Sequence, residues 1–425
     1  MMINTNPTEG MRDLTPKEVE LRSFVANSIV DCYKQYGFTP IETPCVEKIN
    51  LLTSGDGGEN EKMLFKILKR GEKLDVVAAT KDSDIVDLGL RYDLTVPLCR
   101  FYANNKNKLP QQFKSIQIGS VWRAERPQKG RFRQFTQCDI DFIGNKEVTA
   151  EIQLILATTN ALKNIGFSNF TVRINDRRIL ENLANFCGFE TNSHEKVFII
   201  LDKLDKIGID GVQQELEKSD FPKTAIDKFI QIVNASLQSP LNADDIAKMI
   251  PTIPENVLAD LKKVMQTVKK QEGDSFSMIF DVSLVRGMGY YTGQIFEIGI
   301  QGYSSSIAGG GRYDKMIGKL LNGKEEIPAC GFSIGFERVI SILEEQHFVV
   351  ANSRKKIVIL YSQEIEDFSL VLAEAAKWRA EGNIVSLEIH NKKNTKKQLE
   401  ALAQQGFSAF GIYQTEQDFV LKELI

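Results

Sequence analysis

Apolar residues recur at helical spacing from Lys17 to Tyr36 (Leu21, Phe24, Val25, Ile29, Tyr33), a pattern that predicts an amphipathic helix stopped by Gly37. The run FTPIETPCVE that follows reads as strand interrupted by Pro40 and Pro44, and the glycine-rich SGDGGEN as loop. LFKILKR and LDVVAAT read as strands, and GLRYDLTVPLCRFYANN as a strand end running into a helix. FKSIQIGSVW and FTQCDIDFI, joined by a turn carrying Pro127 and Gly130, predict a long hairpin, and residues 148–164 a second amphipathic helix. From about 171 to 272 the texture becomes helical, rich in Lys, Glu and Asp, with breaks at Pro222, Pro240, Pro251 and Pro254. Strand patterns return with SFSMIFDVSL and YYTGQIFEIGI; AGGGRYDK reads as a turn, and ACGFSIGFERVISILEE as a strand entering a helix. From Lys355 onward strands and helices alternate (KKIVILYS, EDFSLVLAEAAKWRAEG, NIVSLEIH, NTKKQLEALAQQG, FSAFGIYQ), which predicts a small parallel α/β domain.

A chain of 425 residues is too long for one ordinary core, so two or three domains are expected. The pattern divides it into a mixed core at 1–170 and 273–345, a mostly helical insertion at 171–272 and a C-terminal domain at 354–425. With 42% hydrophobic and 26% charged residues the composition is that of a globular protein, and no apolar run is long enough to span a membrane. The first residues lack the basic-then-apolar order of a secretory signal. Six scattered cysteines without CxxC spacing read as reduced thiols of a cytoplasmic protein. The three histidines, His194, His347 and His390, lie far apart, which argues against a histidine-ligated metal or a histidine-centred triad.

Charge singles out the hairpin. The net charge is −3, yet Arg123 to Arg133 carries five basic side chains against one acidic one, Glu125. A basic turn can be merely solvated. Alternation favours a site: Arg123 and Glu125 share one face of the incoming strand, and Arg131, Arg133 and Phe135 one face of the outgoing strand. Aligned guanidinium forks beside an aromatic plane can grip a polyphosphate and stack a base. Two glycine strings fail as nucleotide signatures. RGMGYYTG runs into a strand pattern rather than a helix, and GGGRYDK lacks the Lys-Ser/Thr of a P-loop.

Six segments in order, EGMRDLTP, LRYDLTVP, VWRAERPQKGRFRQFTQCDID, LVRGMGYYTGQIFE, AGGGRYDKMIG and GFSIGFERV, resemble the histidyl-tRNA synthetase family of class II aminoacyl-tRNA synthetases. YGFTPIETP is similar to motif 1 of that class, the basic hairpin to motif 2 and GFSIGFERV to motif 3. The resemblance implies an α+β catalytic domain on an antiparallel sheet, a helical insertion and a small C-terminal α/β domain of anticodon-binding type, here shortened. It also implies a reaction in two steps. Histidine and ATP give histidyl-adenylate and pyrophosphate, and the histidyl group then passes to tRNA(His). Neither step needs a protein nucleophile, so catalysis rests on positioning and charge stabilisation.

By the same resemblance Arg123 and Arg286 are catalytic, and ATP is held by Arg123, Glu125, Arg131, Phe135, Arg286 and Arg338, with Mg²⁺ arriving bound to ATP rather than in a protein cage. Histidine is held by Asp93, Leu94, Thr95, Arg123, Gln137, Asp141, Arg286, Tyr290 and Tyr291. The turn residues Arg126, Gln128 and Lys129 are placed to meet tRNA, and a homodimer is implied. On pattern alone several of these keep plainer readings: Asp93 as a helix cap, Arg338 as a solvated helix residue, Tyr290 and Tyr291 as one core and one surface ring. AGGGRYD reads as structural, and Arg312 as a packing or ion-pair residue. Two departures stand out. Gly289 replaces the family's usual Asp, and the last domain stops with DFVLKELI, where the family usually continues. Its charge is balanced, ten basic and ten acidic residues from Arg354 on, with one basic cluster at Lys392, Lys393, Lys396 and Lys397. The competing reading is a non-catalytic, histidine-binding regulatory subunit of ATP phosphoribosyltransferase. The full set of ATP-facing arginines and the C-terminal domain favour the enzyme.

Overall fold

The computed structural model describes residues 3–53, 59–127, 131–238, 241–273, 275–286, 290–303, 305–321, 323, 325–350, 354–413 and 419–424. Its strands are β1 (Thr39–Pro40), β2 (Val46–Lys48), β3 (Lys66–Leu68), β4 (Val86–Leu90), β5 (Phe113–Trp122), β6 (Gln134–Ile143), β7 (Phe170–Asp176), β8 (Phe276–Phe280), β9 (Gln294–Ile300), β10 (Ala308–Arg312), β11 (Ala329–Ile334), β12 (Lys356–Tyr361), β13 (Ile384–Ile389), β14 (Ala409–Tyr413) and β15 (Lys422–Glu423).

Eight strands form one sheet in the order β1-β5-β6-β11-β10-β9-β7-β8, antiparallel throughout except at its two ends, where β1 pairs with β5 and β7 with β8 in parallel. The hairpin β5–β6 is in register from Phe113↔Ile143 to Trp122↔Gln134. Alternation then sorts β6. Cys138, Ile140 and Phe142 are buried on the face where the helix Thr149–Asn164 packs, while Phe135, Gln137, Asp139 and Asp141 point to the opposite face. The helix itself is apolar nearly all round (Ala150, Leu154, Ile155, Ala157, Ala161 and Leu162 are fully buried), as a helix pressed between a sheet and another helix must be. A second sheet, β2-β4-β3, is antiparallel.

Contacts divide the chain into two compact units, residues 1–14 with 22–346, and 15–21 with 347–425. The second carries β13-β12-β14-β15, in which the first three strands are parallel and β15 runs antiparallel to β14. The parallel alternation expected from Lys355 onward is present. Its core lies on both faces of the sheet, with Ile357, Ile359, Val371 and Ala375 on one side and Val358, Leu360 and Leu402 on the other.

Three expectations are corrected. Residues 171–176, assigned to the helical insertion, belong to β7 in the main sheet, and the helices run from Arg177 to Lys269. LDVVAAT is a turn rather than a strand: Val76 and Val77 are exposed, and β-propensity without a partner strand does not make a strand. AGGGR is not a turn but the central strand β10, every residue of it buried. A Cβ built on Gly310 would strike the Gly331 carbonyl, and one on Gly311 would lie 2.7 Å from the Gln294 carbonyl. These glycines admit close neighbours on either side rather than bending the chain.

Candidate active site

The open face of the main sheet forms the floor of a cavity of about 950 Å³. Strand register sets one row across that face of the sheet: Gln117 on β5 faces Asp139 on β6, then Ser333 on β11, Gly309 on β10, Glu297 on β9 and Arg173 on β7, of which Asp139, Ser333 and Gly309 line the cavity. Of the residues expected from sequence, Asp93, Thr95, Arg123, Glu125, Arg131, Phe135, Gln137, Asp141, Arg286, Tyr290, Tyr291 and Arg338 all line this one cavity.

Two are brought elsewhere. The Leu94 side chain is buried in the core, and its carbonyl accepts from Gln117 Nε2 at 3.1 Å. Arg126 is exposed and does not line the cavity, while Gln128, Lys129 and Gly289 lie outside the described residues.

At the cationic end Arg123 is sandwiched between rings, its guanidinium 4.2 Å from the centre of Tyr92 and 5.1 Å from that of Phe135, with Nε donating to the Tyr92 carbonyl at 3.3 Å. Such packing fixes the fork without consuming all its donors. Arg131 lies 3.9 Å from the Glu125 carboxylate. Arg338, the third residue of the helix Phe336–Glu345, donates to the Ser306 carbonyl. Burial, with Arg131 and Arg286 close by, holds Arg338 below the usual arginine range. Arg286 is paired with Glu297. The expected alternation fails at Arg133. The chain bends there, so Phe132 lines the cavity, while Arg133 turns away to the Glu125 carbonyl at 3.0 Å and the Glu9 carbonyl at 3.3 Å.

Acidic and aromatic side chains line the same cavity. Asp93 both caps the helix Thr95–Asn105, accepting from the Val96 N–H at 3.0 Å, and lines the cavity. The capping bond is present, and the same residue faces the cavity. Asp141 accepts from the Tyr313 hydroxyl at 2.6 Å, and burial raises its carboxyl to about 7. Gly331 has no side chain to occupy the place of that carboxylate. Tyr290 and Tyr291 sit 4.4 Å apart, ring to ring, with their hydroxyls 3.2 Å from each other. Neither ring is the surface residue that pattern alone allowed. Gln137 Oε1 and Asp139 Oδ1 are buried without a hydrogen-bond partner among the described residues. Burial, reinforced by the neighbouring Asp141 charge, pushes Asp139 well above the usual carboxylate range. Buried polar atoms are almost always paired, so unpaired ones on a cavity floor mark where a ligand completes the bonding.

Sequence reasoning passed over Asp139, Tyr313, Glu297, Phe132 and Glu337. Glu337 takes both forks of Arg22 at 2.7 Å and the Thr136 N–H at 3.1 Å, tying the helix of motif 3 to the hairpin. The alternation already noted on β6 extends to Asp139 and could have found it; nothing local signals the others. The insertion also contributes a wall through Glu195, Ile199 and Asp202.

A family model described as histidyl-tRNA synthetase matches residues 10–339. The chain belongs to the histidyl-tRNA synthetase family. It is 42% identical over 417 residues to a protein from Tropheryma whipplei strain Twist described as a probable histidine–tRNA ligase, covering 95% of this chain and 94% of the relative. Against the histidine–tRNA ligase of Leifsonia xyli subsp. xyli it is 40% identical over 427 residues, with 98% and 97% covered. The crystal structure of histidyl-tRNA synthetase from Nostoc sp. PCC 7120 superposes with a TM-score of 0.81 at 27% identity, covering 100% of this chain and 95% of that one. A Bacillus halodurans structure described as an ATP phosphoribosyltransferase regulatory subunit/histidyl-tRNA synthetase gives a TM-score of 0.77 at 20% identity, a likeness of fold alone.

Proposed function

We propose that the chain is a class II histidine–tRNA ligase that joins L-histidine to tRNA(His) through histidyl-adenylate. The observation that carries this reading is the polarity of a single cavity: four arginines (Arg123, Arg131, Arg286, Arg338) together with buried carboxylates and hydroxyls (Asp93, Asp141, Tyr290, Tyr291). The first group suits a triphosphate, the second an ammonium and an imidazole.

In this reading Phe135 and Arg338 enclose adenine, Glu125 meets its edge and Arg131 reaches the terminal phosphates. Arg123 and Arg286 hold the α-phosphate and the histidine carboxylate, so that the attacking oxygen and the phosphorus are brought together while charge grows on the phosphate oxygens. Asp93, Thr95 and Gln137 hold the α-ammonium, with the unpaired Gln137 Oε1 ready to accept from it. Asp141 and Tyr291 read the imidazole. A side chain without ring nitrogens would leave these buried groups unpaired, which is how such a pocket discriminates. Mg²⁺ enters with ATP, bound mainly by phosphates and water.

The core is formed by 1–176 with 273–345, and the helices from Arg177 to Lys269 form the insertion. The C-terminal domain contacts tRNA through the exposed Lys392, Lys393, Lys396 and Lys397, and Arg126 with the adjoining turn approaches its acceptor end. A cytoplasmic homodimer fits the family. The exposed Val46, Leu68, Val76 and Val77 around the three-stranded sheet are in keeping with burial against a second copy, and no helix among the described residues is long and apolar enough to cross a membrane.

The regulatory-subunit reading has less behind it, because all the ATP-facing arginines share the cavity. The deciding experiment is histidine-dependent exchange of pyrophosphate into ATP by the purified protein. Exchange that requires histidine is expected; none at saturating histidine and Mg-ATP would overturn the assignment.

A further inference from the structure

We infer that Glu297 and Gly309 act together as positioning residues for Arg286, an inference that rests on Arg286 holding the α-phosphate. The two are direct cross-strand partners on β9 and β10. The Arg286 guanidinium lies over Gly309, where a Cβ would fall inside the contact distance of its central carbon and both terminal nitrogens. Its Nη1 donates to Glu297 Oε2. One residue supplies an empty place on the sheet and its neighbour supplies the charge that holds the fork there.

The carboxylate is available for this task because its other cationic neighbour is engaged elsewhere. Arg173, opposite Glu297 on β7, gives its Nε to Asp281 at 2.5 Å and its Nη1 to Asp205 at 3.3 Å. Arg286 lies on the connection between β8 and β9, outside any strand ladder. Its aim therefore depends on what its side chain rests against. Among the described residues a single carboxylate is paired with it, and the cavity lies on its other side. The place of the glycine in AGGGR is accordingly set by chemistry in the cavity as well as by sheet packing.

The test is steady-state pyrophosphate exchange by full-length Glu297→Ala, Glu297→Gln and Gly309→Ala, with unfolding midpoints measured alongside. Misplacing a catalytic fork by about 1 Å costs on the order of 10²-fold. Glu297→Ala and Gly309→Ala are therefore expected to lower kcat about 10²-fold, with KM for histidine rising by less than about tenfold because Arg123 still holds the carboxylate. Glu297→Gln keeps a neutral acceptor and should lose only about tenfold, a partial rescue. In an Arg286→Ala background, adding Glu297→Ala should change the residual rate by less than about threefold, because both changes remove one arrangement. Near-normal kcat in the single variants, with Arg286→Ala inactive, would overturn this inference and leave the ATP reading standing. A fall in kcat that tracks a fallen unfolding midpoint would make the pair structural and also overturn it. If Glu297→Ala does not fold, Glu297→Gln and Gly309→Ala decide. Absence of exchange in the unmodified protein would remove both the ATP reading and this one.

Discussion

On the helix-covered face of the main sheet, Arg312 is enclosed by Glu151, which takes its Nε at 2.6 Å and its Nη2 at 2.7 Å, by Asp314 at 3.1 Å and by the carbonyls of Asn145 and Glu147. On the cavity face, Arg131, Arg286 and Arg338 share far fewer partners, and Asp139 and Gln137 keep buried atoms with none. Gln137 and Asp139 lie on β6, whose alternate residues Cys138 and Ile140 are buried on the closed face, while Arg286 and Arg338 reach the open face from a connection and a helix. Charge on the closed face is neutralised within the chain and serves the fold. Charge on the open face is left for something that enters.

Removing each kind of charge should separate the two. The largest effect on stability is expected from Arg312→Met, which strands a buried Glu151 carboxylate; loss of one partner of a buried pair costs about 3–5 kcal/mol. Urea unfolding checks this, and exchange activity per folded molecule should change little. Asp139→Asn should do the reverse and stabilise the ligand-free protein by about 1–3 kcal/mol at pH 8. The sign follows from linkage. Burial raises the folded Asp139 carboxyl above its ordinary 3.8, so the unfolded chain gives up this proton first and the native fold loses stability as pH rises through that window. The advantage of the Asn variant should therefore shrink toward pH 4, as unfolding curves at several pH values would reveal.

Smaller still is the effect of titrating Asp141, whose carboxyl is raised to about 7. Below that pH it is protonated in the free protein and must lose its proton to accept from an imidazole N–H. Histidine affinity by calorimetry should fall about fivefold between pH 7 and pH 6 through this carboxyl, and Asp141→Asn should bind weakly and lack that step. A wild-type profile without that step would remove Asp141 from imidazole reading.

Elements defined by local pattern were readable before the structure. The helix Pro16–Gln35, the β5–β6 hairpin and the C-terminal alternation all follow from periodicities within twenty residues. The failures share a cause. β7 pairs with strands more than a hundred residues downstream, and β10 is mostly glycine, so neither leaves a local signature of its partner. The site divides likewise. Alternation and family motifs brought Arg123, Phe135, Gln137, Asp141, Arg286 and Arg338 to one cavity. Arg133 was misplaced by one bend, and Glu297 and Tyr313 were invisible because their significance lies in cross-strand and side-chain partners.

The contrast between the faces is tested most directly by Arg286→Met, followed by both its unfolding midpoint and its rate of histidine-dependent pyrophosphate exchange. A charge held for substrate should leave the midpoint within about 2 °C of the unmodified protein, as expected when ΔΔG stays within about 1 kcal/mol, while exchange falls at least about 10²-fold. Exchange at the unmodified rate, or a loss explained by a collapsed midpoint, would contradict the account.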